Sequence, residues 1–383
     1  METVFAGLES AIRGRRDAML EAIRELVEIN SHTPNKAGGD AVASILARRG
    51  VELGLTARRI SSVSYADHLV LTTGPATNTG VGATLLVGHH DTVFPPGTFE
   101  GMSVADGIAR GPGVLDMKGG IVVMFEALRA LKEIGVLEQH AIRVILVGDE
   151  EVGSPEGRNV IQAYGKDARR ALVFEAGRAA DKIITRRKGT GSAKVVAKGR
   201  AAHAANNHKE GVNAIWALAR FIDRAQALTQ YERGITVNVG VVSGGEAKNT
   251  VPPHAECQID FRFEKLADAE ETFAKLRAAC DDLGVPGAEV SISGGPQRMP
   301  LERSDGNVAL FEAYAAHARA AGLGSEEAGL IAGGSDASST SSIGVPSIDG
   351  LGPRGTGFHT KEELIETATL EPKALALARL LTE

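Results

Sequence analysis

Three apolar runs in this 383-residue sequence are each followed directly by side chains that can bind metal ions. They are 84–88, before His89, His90 and Asp91; 144–148, before Asp149, Glu150 and Glu151; and 171–174, before Glu175. Imidazole nitrogens and carboxylate oxygens are ligands of Zn²⁺ and similar cations. Burying such groups without compensation is costly, and a divalent metal site supplies the compensation.

Continuous apolar runs of this length are typical of strands that are buried on both faces of a parallel sheet. In open α/β sheets, ligands bind at the carboxyl ends of such strands. The sequence therefore predicts a metal site at one edge of a buried sheet.

His89 and Asp91 form a His-x-Asp pair after the first run. The histidine can bind a metal through one ring nitrogen while the carboxylate holds the other. Strand alternation places His89 and Asp91 on the same side. His90 is the alternative ligand.

The other candidates each have a simpler interpretation. Asp116, in the glycine-rich stretch 111–120, could cap the following helix or be a metal ligand on a rigid loop. Adjacent Glu150 and Glu151 point in different directions, so one can bind metal while the other acts as general base. They could instead form a solvated loop, and Glu175 could be an exposed acid.

His359 precedes a Thr-x-x-Glu pattern at 360–363. This pattern is a capping box, which predicts a helix that begins directly after the histidine and fixes its backbone. A loop histidine without a function is the alternative.

These residues are expected on a three-layer α/β domain made of residues 1–187 and 297–383, in which helix and strand signals alternate. We predict one amphipathic helix from the N-terminus to about Asn30, which Pro34 and the following glycines end, and another over 121–131.

Residues 188–296 show a different pattern and predict an inserted α+β domain. Its order is βαββαβ, that of a ferredoxin-like split unit. The predicted elements are strands at 192–196, 235–242, 255–263 and 289–292, and helices at 212–227 and 267–283.

Composition excludes several classes of protein. A net charge of −6 with 4% aromatic residues argues against nucleic-acid binding. Cys257 and Cys280 are the only cysteines and form no CxxC pair, so a zinc finger and a disulfide scaffold are not expected. No signal-peptide pattern and no apolar stretch of about 20 residues occurs, so we expect a cytoplasmic protein without a membrane partner.

Taken together, the motifs resemble those of the M20 zinc peptidases, most closely the glutamate carboxypeptidase branch. They are His-x-Asp-Thr-Val at 89–93, Gly-x-x-Asp-Met-Lys-Gly-Gly at 113–120, Asp-Glu-Glu-x-Gly-Ser at 149–154, Phe-Glu at 174–175, Gly-Arg-x-x-His-Ala at 199–204 and Gly-Phe-His at 357–359. As an ordered set they are highly specific, although Phe-Glu alone is not.

The resemblance implies two Zn²⁺ ions per chain, for which Co²⁺ or Mn²⁺ could substitute. The implied ligands are His89, Asp116 and Glu175 for one ion, and Asp116, Glu151 and His359 for the other. Glu150 would be the general base and acid, and Asp91 would orient His89. The family also has a cis peptide after the bridging aspartate, here Asp116–Met117.

The resemblance further implies that the insert is a dimerisation domain. His203 would stabilise the oxyanion in the active site of a partner in a homodimer, although Ala205-Asn206-Asn207 departs from the family pattern beside it. Arg262 and Asn249 match positions that contact the substrate carboxylate, and Gly333, Gly334 and Ser335 resemble a substrate-binding loop. A helix-start histidine, a solvated arginine and a turn asparagine are the simpler interpretations.

The expected reaction is hydrolysis of an amide or peptide bond next to a free C-terminal carboxylate. Release of C-terminal glutamate from a small peptide and deacylation or desuccinylation of an N-acyl amino acid both fit. A serine hydrolase that uses Ser335 is a rival of another class, although Ala337 breaks the G-x-S-x-G pattern. A non-catalytic binding protein is the remaining alternative.

Overall fold

The structure is a computed structural model that describes residues 2–78 and 82–383. In these residues the helices are α1 Glu2–Ile12, α2 Arg16–Val27, α3 Lys36–Glu52, α4 Gly74–Asn78, α5 Gly119–Glu133, α6 Gly157–Gly165, α7 Ala214–Gln226, α8 Leu266–Ala278, α9 Asp305–Ala320, α10 Ala337–Ser341 and α11 Leu370–Leu381. None of these helices has the length and apolar character needed to cross a membrane.

The strands of the described residues fall into four sheets. They are β1 Thr56–Ile60, β2 His68–Thr72, β3 Ala83–His89, β4 Ser103–Ala105, β5 Ile108–Arg110, β6 Ile142–Val147, β7 Ala168–Val173, β8 Gly189–Lys198, β9 Ala202–His203, β10 Thr236–Gly244, β11 Thr250–Val251, β12 His254–Phe263, β13 Glu289–Arg298, β14 Ser347–Ile348, β15 Gly355–Thr356 and β16 Leu364–Glu366.

The chain divides into two compact units. The first comprises Met1–Arg186, Arg303–Ile331 and Ser335–Glu383, and the second comprises Arg187–Glu302 and Ala332–Gly334. The second unit extends a few residues beyond 296, because β13 continues to Arg298.

The first unit is built on a six-stranded mixed sheet of order β1-β2-β6-β3-β7-β14. Strands β6, β3, β7 and β14 run parallel to their neighbours in that series, whereas β1, β2 and β6 are joined by antiparallel pairing. Every residue of β3 and of β6 is buried, as expected of strands covered on both faces. Helices α1, α2, α5 and α11 contribute to the same apolar core. The α/β architecture predicted from the sequence is confirmed.

The predicted first helix is wrong in its extent. The segment forms α1 and α2, separated near Gly14, whose φ of 77° is left-handed and interrupts helical geometry. The glycines expected to end this helix instead lie inside α3. A Cβ on Gly38 would approach within 1.9 Å of the Asn30 carbonyl oxygen, so the close approach of the backbone requires glycine there.

The second unit has a four-stranded antiparallel sheet of order β10-β12-β8-β13. Buried and less buried residues alternate along β8 and β12. One face of the sheet therefore packs against α7 and α8, and the other does not. The strands and helices follow the predicted βαββαβ order, with two short strands added, β9 after β8 and β11 after β10, which pair as a small ribbon. That ribbon carries His203.

Candidate metal centre

The parallel strands bring the predicted ligands to one edge of the sheet. His89 is the last residue of β3 and lies opposite Val147, the last residue of β6. Glu150 and Glu151 follow β6, and Glu175 follows β7. Because β3 pairs in parallel with both neighbours, the carboxyl ends of all three strands meet at this edge.

His89, Asp116 and Glu175 form one half of the cluster. The Nε2 atom of His89 lies 3.1 Å from Asp116 Oδ1 and 3.9 Å from Glu175 Oε2. The other carboxylate oxygen of Glu175, Oε1, is buried and makes no hydrogen bond to the described residues. A buried carboxylate oxygen without a donor is costly, and a divalent cation would compensate it.

Asp116, Glu151 and His359 form the other half. The Nε2 atom of His359 lies 3.2 Å from Asp116 Oδ2 and 3.0 Å from Glu151 Oε2. The two oxygens of Asp116 therefore face two different histidines. This donor set of imidazole nitrogens and carboxylate oxygens fits a pair of divalent ions such as Zn²⁺ that share Asp116.

Glu150 belongs to the same cluster. Ligand atoms of His89, Glu150 and Glu175 lie within 4.8 Å of one another, and so do those of His89, Asp116 and Glu151. By distance alone Glu150 can reach either a metal ion or a water beside it. The position of Glu150 is therefore compatible with a role as a metal ligand and with a role in proton transfer.

Asp91 anchors the residues around it. Its Oδ1 lies 3.3 Å from His89 Nδ1, and its Oδ2 accepts a 2.8 Å hydrogen bond from the Thr33 hydroxyl. The backbone N–H groups of Glu150 and Glu151 each donate to this carboxylate at 3.2 Å. His89 Nδ1 also lies 3.1 Å from the Asp91 carbonyl oxygen, which leaves Nε2 directed at the cluster. Sequence reasoning missed Thr33, for which no local motif gives a signal.

His90, the alternative ligand, points elsewhere. Its Nε2 lies 3.2 Å from the Asp67 carbonyl oxygen, and burial lowers the pKa of His90 to about 4. His89, and not His90, therefore faces the carboxylate of Asp116.

The electrostatics reflect crowded carboxylates. Burial, with repulsion from Asp116, raises the pKa of Glu151 and of Glu175 to about 7. Burial acts in the same sense on Asp116, but hydrogen bonds to His359 and His89 outweigh it and hold its pKa below the usual range. Hydrogen bonds to Asp116 and Glu151 raise the pKa of His359 to about 10. Divalent cations would supply positive charge to these crowded carboxylates.

The loop that carries Asp116 is held by Glu363. Its carboxylate accepts hydrogen bonds from the backbone N–H groups of Gly113, Leu115 and Asp116, at 3.2, 2.8 and 3.0 Å. The Asp116–Met117 peptide bond is cis, as the family resemblance implied. Sequence reasoning missed this role of Glu363.

The helix predicted after His359 is absent from the described structure. Residues 360–363 form turns that lead into β16, and His359 has a φ of 62°. The Thr360 hydroxyl donates to the Gly357 carbonyl oxygen at 2.8 Å, and Glu363 turns inward to the Asp116 loop. The side chains of the capping box thus make other hydrogen bonds, so the local pattern does not start a helix.

The remaining candidates lie mostly in the second unit. His203 is exposed, and its Nδ1 accepts from the N–H groups of Ala205 and Asn206 at 3.2 Å. Arg262 makes two 2.8 Å hydrogen bonds to Asp260 on the same strand. Asn249 is exposed.

The loop 333–335 contributes backbone and hydroxyl groups. The Arg187 guanidinium donates to the carbonyl oxygen of Gly333 at 3.0 Å and to that of Gly334 at 3.5 Å. The Ser335 hydroxyl is 1% exposed and donates to Asp349 at 2.6 Å. A hydroxyl directed at a buried acid, and not at a histidine, argues against a serine nucleophile.

Comparison with known proteins places these features in a family. Residues 185–288 match the sequence profile of the M20 peptidase dimerisation domain, and residues 69–234 match that of peptidase family M28. Carboxypeptidase G2 of Pseudomonas sp. (strain RS-16) is 29% identical over 98% of this chain and 91% of its own length. Along nearly its whole length the chain is thus similar to an M20-type metallopeptidase.

Other relatives of this chain have different names. Aminoacylase-1 of Sus scrofa is 28% identical over 68% of this chain and 69% of its own. The solved structure of aminopeptidase PepT from Bacillus cereus ATCC 10987 is 24% identical, with a TM-score of 0.78 over 96% of this chain and 98% of that chain. Its likeness shows the fold. The protein is an enzyme of the peptidase and amidohydrolase class.

Proposed function

We propose that this enzyme is a two-zinc carboxypeptidase that cleaves the amide bond next to a free C-terminal carboxylate and releases glutamate or a similar amino acid. The observation that carries the proposal is the cluster in which the two oxygens of Asp116 face His89 and His359. Similarity to carboxypeptidase G2 across 98% of this chain favours this reaction among those of the family.

Two sets of side chains would hold the metal ions. His89, Asp116 and Glu175 form the first metal position, and Asp116, Glu151 and His359 form the second. Zinc ions there would polarise the scissile carbonyl and lower the pKa of a water molecule. Co²⁺ or Mn²⁺ could replace zinc because the same donor atoms suit them.

Glu150 has the role of proton carrier in this proposal. It takes a proton from the attacking water and delivers it to the leaving nitrogen, as a general base and then a general acid. The backbone N–H of Glu150 donates a 3.2 Å hydrogen bond to Asp91, the carboxylate that orients His89. This bond fixes the backbone of Glu150 beside the cluster, which supports the role.

Recognition of the substrate carboxylate is assigned to Arg262 and Asn249, with the loop 333–335. An arginine binds a carboxylate through two parallel hydrogen bonds. Arg262 already makes this kind of contact with Asp260, so a substrate carboxylate would exchange with an existing partner. His203 is assigned to stabilise the oxyanion in the active site of a dimer partner.

An N-acyl-amino-acid deacylase is the second candidate. Similarity to aminoacylase-1 over 68% of the chain favours it. Both reactions cut an amide beside a free carboxylate, and they differ in which side of the bond is recognised more strictly.

A two-way hydrolysis panel tests the proposal. One series keeps the acyl group and varies the C-terminal residue, and the other keeps C-terminal glutamate and varies the acyl group. The carboxypeptidase proposal expects kcat/KM to change more in the first series and to be lost when the carboxylate is amidated. A steeper dependence on the acyl group would favour the deacylase.

Removal of metal is the companion test. A chelator should abolish hydrolysis of every substrate in the panel, and Zn²⁺ should restore it. Full activity in rigorously metal-free enzyme would contradict the two-zinc mechanism.

A further inference from the structure

Glu363 is a fully buried acid that is not among the proposed metal ligands. Its Oε1 accepts from the N–H groups of Leu115 and Asp116, and its Oε2 accepts from that of Gly113. Hydrogen bonds from several fixed N–H groups to one carboxylate are strong and directional. Glu363 therefore fixes the backbone from which the Asp116 side chain starts.

Glu363 also fixes the segment of His359. The two residues are four positions apart, and β16, which begins at Leu364, pairs with β5. His359 itself lies in a turn with positive φ, and its side chain is 48% exposed. No strand pairing orders its backbone directly, whereas His89 ends a buried strand.

We propose that Glu363 is a positioning residue for the second metal position, formed by Asp116, Glu151 and His359. It joins the Asp116 loop to the His359 turn and so sets the separation of these two ligands, 3.2 Å between His359 Nε2 and Asp116 Oδ2. The first position depends on it less, because β3 and β7 pair directly and deliver His89 and Glu175. Outer residues that orient ligands typically change metal affinity by about 10- to 100-fold.

Glu363→Gln is the informative variant, and Glu362→Gln is its matched control. Glutamine keeps the size of the side chain but replaces one acceptor oxygen with an NH₂ group, which cannot accept from a backbone N–H. Glu362 is the adjacent acid, its side chain is 86% exposed, and its ion-pair partner Arg110 lies 3.9 Å away. Both changes remove one negative charge at nearly the same place in the sequence.

The experiment is a stepwise metal titration of the full-length protein. Metal-free protein is titrated with Co²⁺, and visible absorption and calorimetry follow each equivalent. Wild type and Glu362→Gln should take up two equivalents with the same affinities. In Glu363→Gln, affinity for the second equivalent should fall by at least about 10-fold and affinity for the first by less, although Asp116 belongs to both positions.

A folding control distinguishes a positioning role of Glu363 from a general contribution to the stability of the fold. Far-UV circular dichroism and urea unfolding of the metal-free proteins report the fold. If Glu363→Gln does not fold, Glu363→Asp replaces it, because it keeps the charge and draws the oxygens back by about 1.5 Å, one carbon–carbon bond. The same selective loss of the second equivalent is expected.

The assignment depends on the two-metal site proposed above, and the titration distinguishes their failures. Two tight equivalents in wild type with unchanged or equally weakened binding of both in the Glu363 variants would overturn only the positioning role. Failure of wild type to bind a second equivalent would refute the two-metal site, and this role with it.

Discussion

The buried carboxylate of Asp91 holds the backbone of two neighbouring acids to which we assign different roles. The N–H groups of Glu150 and Glu151 both donate to it. The Oε2 atom of Glu151 lies 3.0 Å from His359 Nε2. A ligand atom of Glu150 lies within 4.8 Å of those of His89 and Glu175. Glu151 pairs with His359, although ligand atoms of both glutamates lie within 4.8 Å of those of His89, and we expect their substitutions to have different effects.

Glu150→Ala should lower kcat by at least about 100-fold, the usual scale of general acid–base catalysis, and should leave metal content near that of wild type. Glu151→Ala should deplete metal, because a ligand is lost. Steady-state kinetics and metal analysis of the purified variants measure both quantities. Glu138→Ala, at an exposed acid, is the control and should resemble wild type. Near-normal turnover in Glu150→Ala would contradict the assignment.

The sequence did not reveal residues whose hydrogen-bond partners lie far away in the chain. The ligand candidates were recognisable because each lies after an apolar run or in a motif. Glu363 was not, since its partners lie up to 250 positions away in the chain and its neighbours form a local capping pattern. Thr33 likewise gains its role only through folding, 58 positions from Asp91.

At the scale of elements, the buried strands were the most predictable part of the molecule. The apolar runs overlap strands β3, β6 and β7, where β3 and β6 are buried throughout and the last three residues of β7 are buried. Helix limits were less predictable: Gly14 divides the first helix, and no helix follows His359 in the described structure. At Gly14 a left-handed backbone interrupts the helix, whereas after His359 the capping-box side chains make other hydrogen bonds.

Leu86→Ala in the centre of β3 should destabilise the protein by about 2–5 kcal/mol, the cost of removing a buried leucine and leaving a cavity. Leu86 is 0% exposed. Urea unfolding in the presence of a chelator measures the change without a contribution from metal. Val63→Ala, at a side chain that is 94% exposed, should shift stability by no more than about 0.5 kcal/mol. Equal effects of the two substitutions would be inconsistent with this core.

At the scale of the whole molecule, the second unit has an edge strand with exposed apolar side chains. Strand β10 pairs on one side with β12 and lies at the edge of its sheet. Val241 and Val242 on this strand are 53% and 57% exposed, and Trp216 on α7 is 51% exposed. An edge strand beside exposed apolar side chains favours association, and residues 185–288 match a dimerisation domain. This surface supports the proposed homodimer.

Val241→Lys should weaken dimerisation by at least about 10-fold, because it would bury a charge at the interface. Val63→Lys, outside this surface, should leave the dimer unchanged. Sedimentation velocity over a range of concentrations measures the monomer–dimer equilibrium. A wild-type protein that stays monomeric throughout would rule out the homodimer.

Mixed dimers test the proposed role of His203. Glu150→Ala and His203→Ala homodimers should each be nearly inactive. In a heterodimer of the two, one active site combines an intact Glu150 with an intact partner His203, and activity should recover to about half of wild type per dimer, because both groups act in one transition state. Absence of recovery despite confirmed subunit exchange would place His203 outside the partner's active site.

The order of the ligands along the chain also has a consequence for biosynthesis. His89, Asp116, Glu151 and Glu175 are made early, but His359 and Glu363 follow the entire second unit. At 5–20 residues per second, the ribosome needs roughly 10 to 40 s to travel from Glu175 to His359. A nascent chain therefore contains every proposed ligand of the first metal position before it contains the last proposed ligand of the second.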